Sequence, residues 1–119
     1  MRDYKELVVW QKSMLLVEEV YKLMRFMPKE EMYGLANQIR RAAVSIPSNI
    51  AEGYGRNTDK ELASFLHISR GSASELETQL ILCVRLGMLD REQVAEPMAL
   101  LTEIKKMLNG LIRKTKDSR

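Results

Sequence analysis

The sequence predicts an all-α fold, an antiparallel up-down-up-down four-helix bundle. Three observations carry that prediction. Four segments place apolar residues at spacings of three and four. No segment shows the strict alternation of a half-buried strand. The connections between the four are short and carry helix stop and start residues, which makes consecutive helices antiparallel neighbours. The 119 residues, 45% of them apolar and 29% charged, suit one domain spanning 1–119 with a single core.

In the first segment Leu7, Trp10, Met14, Val17, Tyr21 and Met24 recur on one face, which the spacing assigns to the core. A second seam, Val9, Leu16, Val20, Leu23 and Met27, follows the same rhythm on an adjacent face. The helix is therefore apolar over about half its circumference, wider than the stripe of about 100° that one core needs. The second seam is the expected oligomer interface, the alternative being a central helix covered on both sides by its own neighbours.

Pro28 with Glu30 and Glu31 marks the second start, since proline fits a first turn and carboxylates suit the positive end of the helix dipole. The run continues through Met32, Leu35, Ile39, Ala42, Ile46, Ile50 and Gly53. Pro47 removes the amide that would bond to the Ala43 carbonyl, so the second helix is expected to kink near Ser45 to Pro47 without reversing the chain. Gly53 and Gly55 supply the stop, with Gly55 expected in a left-handed cap.

Thr58 followed by Glu61 is a capping box that opens the third helix, carrying Leu62, Leu66, Ser69, Ala73, Leu76, Leu80 and Cys83 on one seam. Its middle is poor in bulk around Gly71, and the second helix has a matching stretch in Ala42, Ala43, Ser45, Ser48 and Ala51. Close backbone approach there would account for Gly71 inside a helix. Gly87 ends the run. Asp90 with Gln93 opens the fourth helix, which carries Val94, Met98, Leu101, Ile104, Leu108 and Leu111. Pro97 implies either a start near Glu96 or bent first turns.

The formal charge of +3 is unevenly placed: residues 103–119 carry +4 and the remainder −1. Lys105, Lys106, Arg113, Lys114 and Lys116 form this basic end, with 114–119 read as a basic tail. Cations near a helix C-terminus complement its dipole. The same cluster would also serve as a phosphate-contacting patch whose affinity falls with salt. A second polar concentration comprises Arg40, Arg41, Ser45, Ser48, Asn49, Glu52, Arg56, Arg70, Ser72 and Glu75. Two accounts fit it: a network in which Glu52 and Glu75 pair with Arg40, Arg41 or Arg70, or an arginine-lined phosphate surface.

Catalytic chemistry finds little support. The lone His67 has Ser64 three residues before it, not the glutamate of a di-iron bundle. Cys83 falls on the apolar seam as a structural thiol. The Gly53-Tyr-Gly-Arg56 segment lacks phosphate-loop spacing. No enzyme activity, metal, cofactor or small-molecule substrate is expected. The start lacks a signal-peptide pattern and no run approaches the roughly 20 apolar residues of a membrane span, so a cytoplasmic protein without membrane contact is expected.

The block from Arg40 to Arg56, RRAAVSIPSNIAEGYGR, with Phe65-Leu66, Gly71-Ser72 and Glu75-Leu-Glu77, resembles the family of proteins encoded in intervening sequences of bacterial 23S ribosomal RNA genes. The opening pattern Leu7, Val9, Trp10, Gln11 and Lys12 is similar to that family as well. The resemblance implies a bacterial four-helix bundle assembling into a homopentamer. It also implies kinship with the accessory protein of diversity-generating retroelements, which engages nucleic acid through a positive surface, although the modest net charge here departs from that protein. The function expected from residues and resemblance together is a non-enzymatic homopentameric bundle that associates with RNA or a nucleic-acid-handling protein. The contacts would come from the basic end first and from Arg40, Arg41, Arg56 and Arg70 second. The alternative is a structural or protein-interaction scaffold with no nucleic-acid binding.

Overall fold

The computed structural model describes residues 3–117, with side chains through Thr115. It contains α1 (Val8–Met24), α2 (Leu35–Tyr54), α3 (Asp59–Arg85) and α4 (Arg91–Asp117), with single 3₁₀ turns at Tyr4–Glu6 and Lys29–Glu31 and no strand among the described residues. α1 and α3 each pack against α2 and α4, so the helices occupy the corners of a bundle 47 Å long and 22 by 20 Å across. Ser69 bonding to Ile46, Ser45 to Ser72, and Gly53 lying against Leu62 fix α2 and α3 as antiparallel. Lys105 with Glu77 and Asn109 with Arg70 do the same for α3 and α4. All four helices supply the core: Leu16 and Val20, Ile39, Ile46 and Ile50, Leu66, Leu76 and Leu80, and Leu101, Ile104 and Leu108 are fully buried.

The two seams of α1 both contribute to the core, the second more completely than the first. Val9, Leu16, Val20, Leu23 and Met27, expected between subunits, are at most 7% exposed and belong to the chain's own core. On the other seam Leu7 and Met24 are buried as expected, Val17 is half-buried, Trp10 is half-buried against the edge of Tyr4, 5.5 Å between ring centres, and only Met14 and Tyr21, 39% and 47% exposed, lie outside. The seams lie one residue apart, about 100° on the helix, and periodicity alone does not orient the helix between them. Burial decides it: the five apolar side chains of the Leu16 seam enter the core, a gain of about 1.5–3 kcal/mol each, while the Lys12–Glu103 pair and the Arg40–Tyr21 contact flank the helix at the surface.

The helix ends also differ in part from expectation. α2 begins at Leu35, seven residues after Pro28, because Gly34 takes a non-helical conformation (φ −104°, ψ −113°) and the acidic pair sits in a 3₁₀ turn. Gly55 ends α2 in a right-handed conformation (φ −87°), not a left-handed one. Gly87, at φ +75°, closes α3 instead: Met88 N–H donates to the Cys83 carbonyl and Gly87 N–H to Val84, the two bonds of a Schellman motif. The Thr58–Glu61 cap forms, with the Glu61 amide donating to Thr58 Oγ1 at 3.1 Å. Asp90 and Gln93 cap α4 reciprocally at 2.8 and 2.9 Å, so the helix starts at Arg91 and Pro97 lies within it. α2 likewise remains helical through Pro47.

The glycine at the tight helix crossing is Gly53, not Gly71. A Cβ on Gly53 would lie 3.0 Å from Leu62 Cδ1 and 3.0 Å from Phe65 Cβ, whereas one on Gly71 would meet nothing within 4 Å.

Candidate nucleic-acid interface

Two helix positions in the basic end of α4 point away from the bundle. Lys106 and Arg113, seven residues apart and so on one face, are exposed, and neither has an ion pair or hydrogen bond among the described residues. Lys105, one position round the helix, instead faces α3 and pairs with Glu77 at 3.0 Å, both side chains half-buried. Lys114 is exposed and lines a cleft of about 210 Å³ with Tyr54, Asp59 and Leu62. Those three residues also line an adjoining cleft of about 230 Å³ that contains Arg56. The fold thus brings Arg56, from the α2–α3 connection, to the same end of the bundle as Lys114, a juxtaposition that residue order did not reveal. α4 continues through Asp117, four residues into the segment read as a tail. The side chain of Lys116 lies outside the described residues.

The arginines of α2 and α3 are not one group. Arg56 pairs with Glu52 one turn earlier at 2.9 Å and stacks 4.8 Å from the Phe65 ring centre. Arg40 lies 5.8 Å from the Tyr21 ring centre, with Nη2 3.7 Å from Met32 Sδ. Arg70 bridges to α4, donating to Asn109 Oδ1 at 2.8 Å, and sits 3.0 Å from Nδ1 of the exposed His67. Arg41 is exposed and has no ion pair or hydrogen bond among the described residues. The expected pairing of Glu52 and Glu75 with Arg40, Arg41 or Arg70 is therefore corrected: Glu52 takes Arg56, and Glu75 pairs with none of them. The serine and asparagine part of that network does form. Ser45 and Ser72 share a 2.8 Å bond across α2 and α3, and Asn49 Nδ2 donates to both the Ser45 hydroxyl and its carbonyl at 2.8 Å.

Between α2 and α3 these side chains form the walls of an open polar cleft of about 430 Å³, with Gln38, Arg41 and Ser45 on one helix and Ser72 and Glu75 on the other. The spacing was present in the sequence: 38, 41 and 45 on α2 and 72, 75 and 79 on α3 each follow the three-and-four rhythm of one helix face. Arg41, Ser45, Ser72 and Glu75 belong to the polar concentration seen in the sequence; what the fold adds is Asn37 and Gln38 beside them and the separation of this cleft from Arg56 and Arg70.

Cys83 is buried, its Sγ 3.8 Å from Met27 Sδ. Burial first, and the nearby Glu31 carboxylate second, push its thiol above the ordinary range, as suits an inert structural residue. No helix among the described residues is long and apolar enough to cross a membrane.

The chain matches the family model of the 23S rRNA-intervening sequence protein over residues 5–110. Its fold is similar to a crystal structure of a protein with unknown function from the S23 ribosomal protein family of Bacteroides thetaiotaomicron VPI-5482. That likeness has a TM-score of 0.82 at 29% identity and covers 88% of this chain and 98% of the other. No curated protein sequence matches this chain. The family match spans most of the sequence, including the Arg40–Arg56 block and all of α3, so the chain belongs to the 23S rRNA-intervening sequence protein family.

Proposed function

We propose that this protein is a non-enzymatic, cytoplasmic subunit of a homopentamer that binds RNA through the cationic end of its bundle. The observation that carries the reading is the set Lys106, Arg113 and Lys114: three exposed cations, without ion pairs among the described residues, beside Arg56. Ion pairing within the chain would have cancelled them, as it does for Lys105. A five-fold ring would gather five such ends, multiplying weak phosphate contacts into one avid surface.

With the Leu16 seam spent on the core, we assign subunit contacts to a subset of the exposed apolar residues, Val8 and Leu15 on α1, Ile68, Ile81 and Leu82 on α3 and Leu86 at its end, each at least 42% exposed, while Tyr21, Phe26, Met32 and Tyr33 are exposed elsewhere. Light scattering tests the assembly. A mass five times the 13.7 kDa chain is expected, and a monomer would refute it. A salt titration of RNA binding tests the ligand. Affinity should fall linearly on logarithmic axes as salt rises, and no binding at low salt would favour a protein-interaction scaffold.

A further inference from the structure

The α2–α3 cleft holds two charged groups of opposite sign that do not pair with each other or with any other described residue. The antiparallel register that sets Ser45 against Ser72 also sets Ala42 against Glu75 and Gln38 against Gln79. Arg41 and Glu75 are exposed and line the same cleft, about 430 Å³ in volume, with the Ser45–Ser72 hydroxyl pair between the two helices. The cleft therefore offers one strong donor, Arg41, and one carboxylate acceptor, Glu75, neither engaged by another described side chain.

That combination constrains the ligand. A site for phosphate alone would not carry Glu75, because a carboxylate repels phosphate. It becomes favourable when the ligand brings a hydroxyl donor next to its phosphate. The backbone of RNA does so at every nucleotide through the ribose 2′-hydroxyl, and that of DNA does not. A carboxylate accepting from a ribose hydroxyl is also how dinucleotide-binding folds hold their sugar. The residues lining the cleft include no aromatic side chain on which a base could stack, whereas two hydroxyls and two amides are matched to sugar and phosphate. We infer that the α2–α3 cleft grips the ribose–phosphate backbone of RNA, with Arg41 on a phosphate and Glu75 accepting from the 2′-hydroxyl, which makes the protein selective for RNA over DNA. This rests on the RNA reading above and adds to it a second contact region and a choice between the two nucleic acids.

The test measures binding of the intact protein to three single strands of one sequence, RNA, DNA and 2′-O-methyl RNA, by fluorescence anisotropy at low salt. RNA should bind about ten-fold more tightly than either of the others, the size expected for one charge-assisted hydrogen bond. Glu75→Ala should lower RNA affinity to the DNA level and leave DNA binding unweakened, while Arg41→Ala should weaken both by similar factors. Circular dichroism melting of both variants checks that the bundle is intact. Equal affinity for RNA and DNA, or a Glu75→Ala change that moves both alike, overturns the inference and leaves the RNA reading standing. Absence of binding to all three strands overturns both.

Discussion

Replacing Gly53 and Gly71 by alanine, one at a time, should move stability in opposite directions. Both glycines lie in helices, and alanine in place of an interior glycine stabilises a helix by about 1 kcal/mol, less near an end. At Gly71 nothing opposes that gain, since the added methyl meets no atom within 4 Å. Gly71→Ala should therefore raise stability by about 0.8–1 kcal/mol, a rise in Tm of roughly 3–6 °C for a domain of this size. At Gly53 the methyl would stand 3.0 Å from both Leu62 Cδ1 and Phe65 Cβ, and 3.4 Å from the Leu62 carbonyl oxygen. Leu62 Cδ1 can rotate aside, but Phe65 Cβ and the carbonyl are fixed to the α3 backbone, so α2 and α3 must separate locally. Such overpacking costs about 1–3 kcal/mol. Gly53→Ala sits in the last turn of α2, where the helix gain is smallest, so it should end about 1–2 kcal/mol less stable than the parent. Urea denaturation of the three proteins, with slopes compared to confirm a common unfolding reaction, reads both values. A Gly53→Ala protein as stable as the parent would show that the crossing is looser than the contact distances imply. A destabilising Gly71→Ala would show that another surface lies against Gly71.

Leu16→Ala, in the seam that fills the core, should cost about 2–5 kcal/mol in urea denaturation, while Met14→Ala, on the other seam and 39% exposed, should cost less than about 1 kcal/mol. Equal costs would return the inward face of α1 to doubt. Lys106→Ala combined with Arg113→Ala should lessen the dependence of RNA affinity on salt by up to about two counterions per subunit, whereas Lys105→Ala, which breaks an internal pair, should lessen it far less. Equal slopes for these variants would exclude the outward face of α4 from the contact. The Cys83 thiol is held above its ordinary range, so the folded protein retains a proton that the unfolded chain gives up first on going alkaline. Its contribution to stability should be complete below about pH 9 and decline as pH rises beyond it. Comparing parent with Cys83→Ala through that window checks this, and parallel curves would refute it.

Much of the bundle could be read from residue spacing because its helices bury continuous apolar seams and its caps are local. Thr58 with Glu61, Asp90 with Gln93, and Gly87 each act on backbone groups within a few residues, so their geometry follows from their spacing. The orientation of α1 did not. Two apolar seams about 100° apart present the same periodicity, and the choice between them depends on which face best meets the apolar residues of α2 and α4, distant in the sequence. The point of closest approach between α2 and α3 is not legible in the sequence for a related reason. A small residue permits close approach but does not cause it, and which glycine lies at the crossing depends on the register of α2 against α3.

The same limit governs the charged residues and decides which of them could meet a ligand. Lys105 and Lys106 are adjacent and chemically identical, yet α4 turns one toward Glu77 and leaves the other in solvent. Arg40 and Arg41 repeat the pattern on α2, one lying over Tyr21 and the other open to the α2–α3 cleft. One helical residue, about 100°, thus separates a cation engaged within the fold from one available outside it. A count of basic residues by segment cannot make that distinction. Net charge is a poor guide for the same reason: the bundle carries only +3, but its internal ion pairs leave particular cations exposed on α4 and α2. Binding should accordingly respond to substitution of Lys106, Arg113, Lys114 and Arg41, and far less to equal charge removed at Lys12 or Lys105, each already paired with a carboxylate of a neighbouring helix.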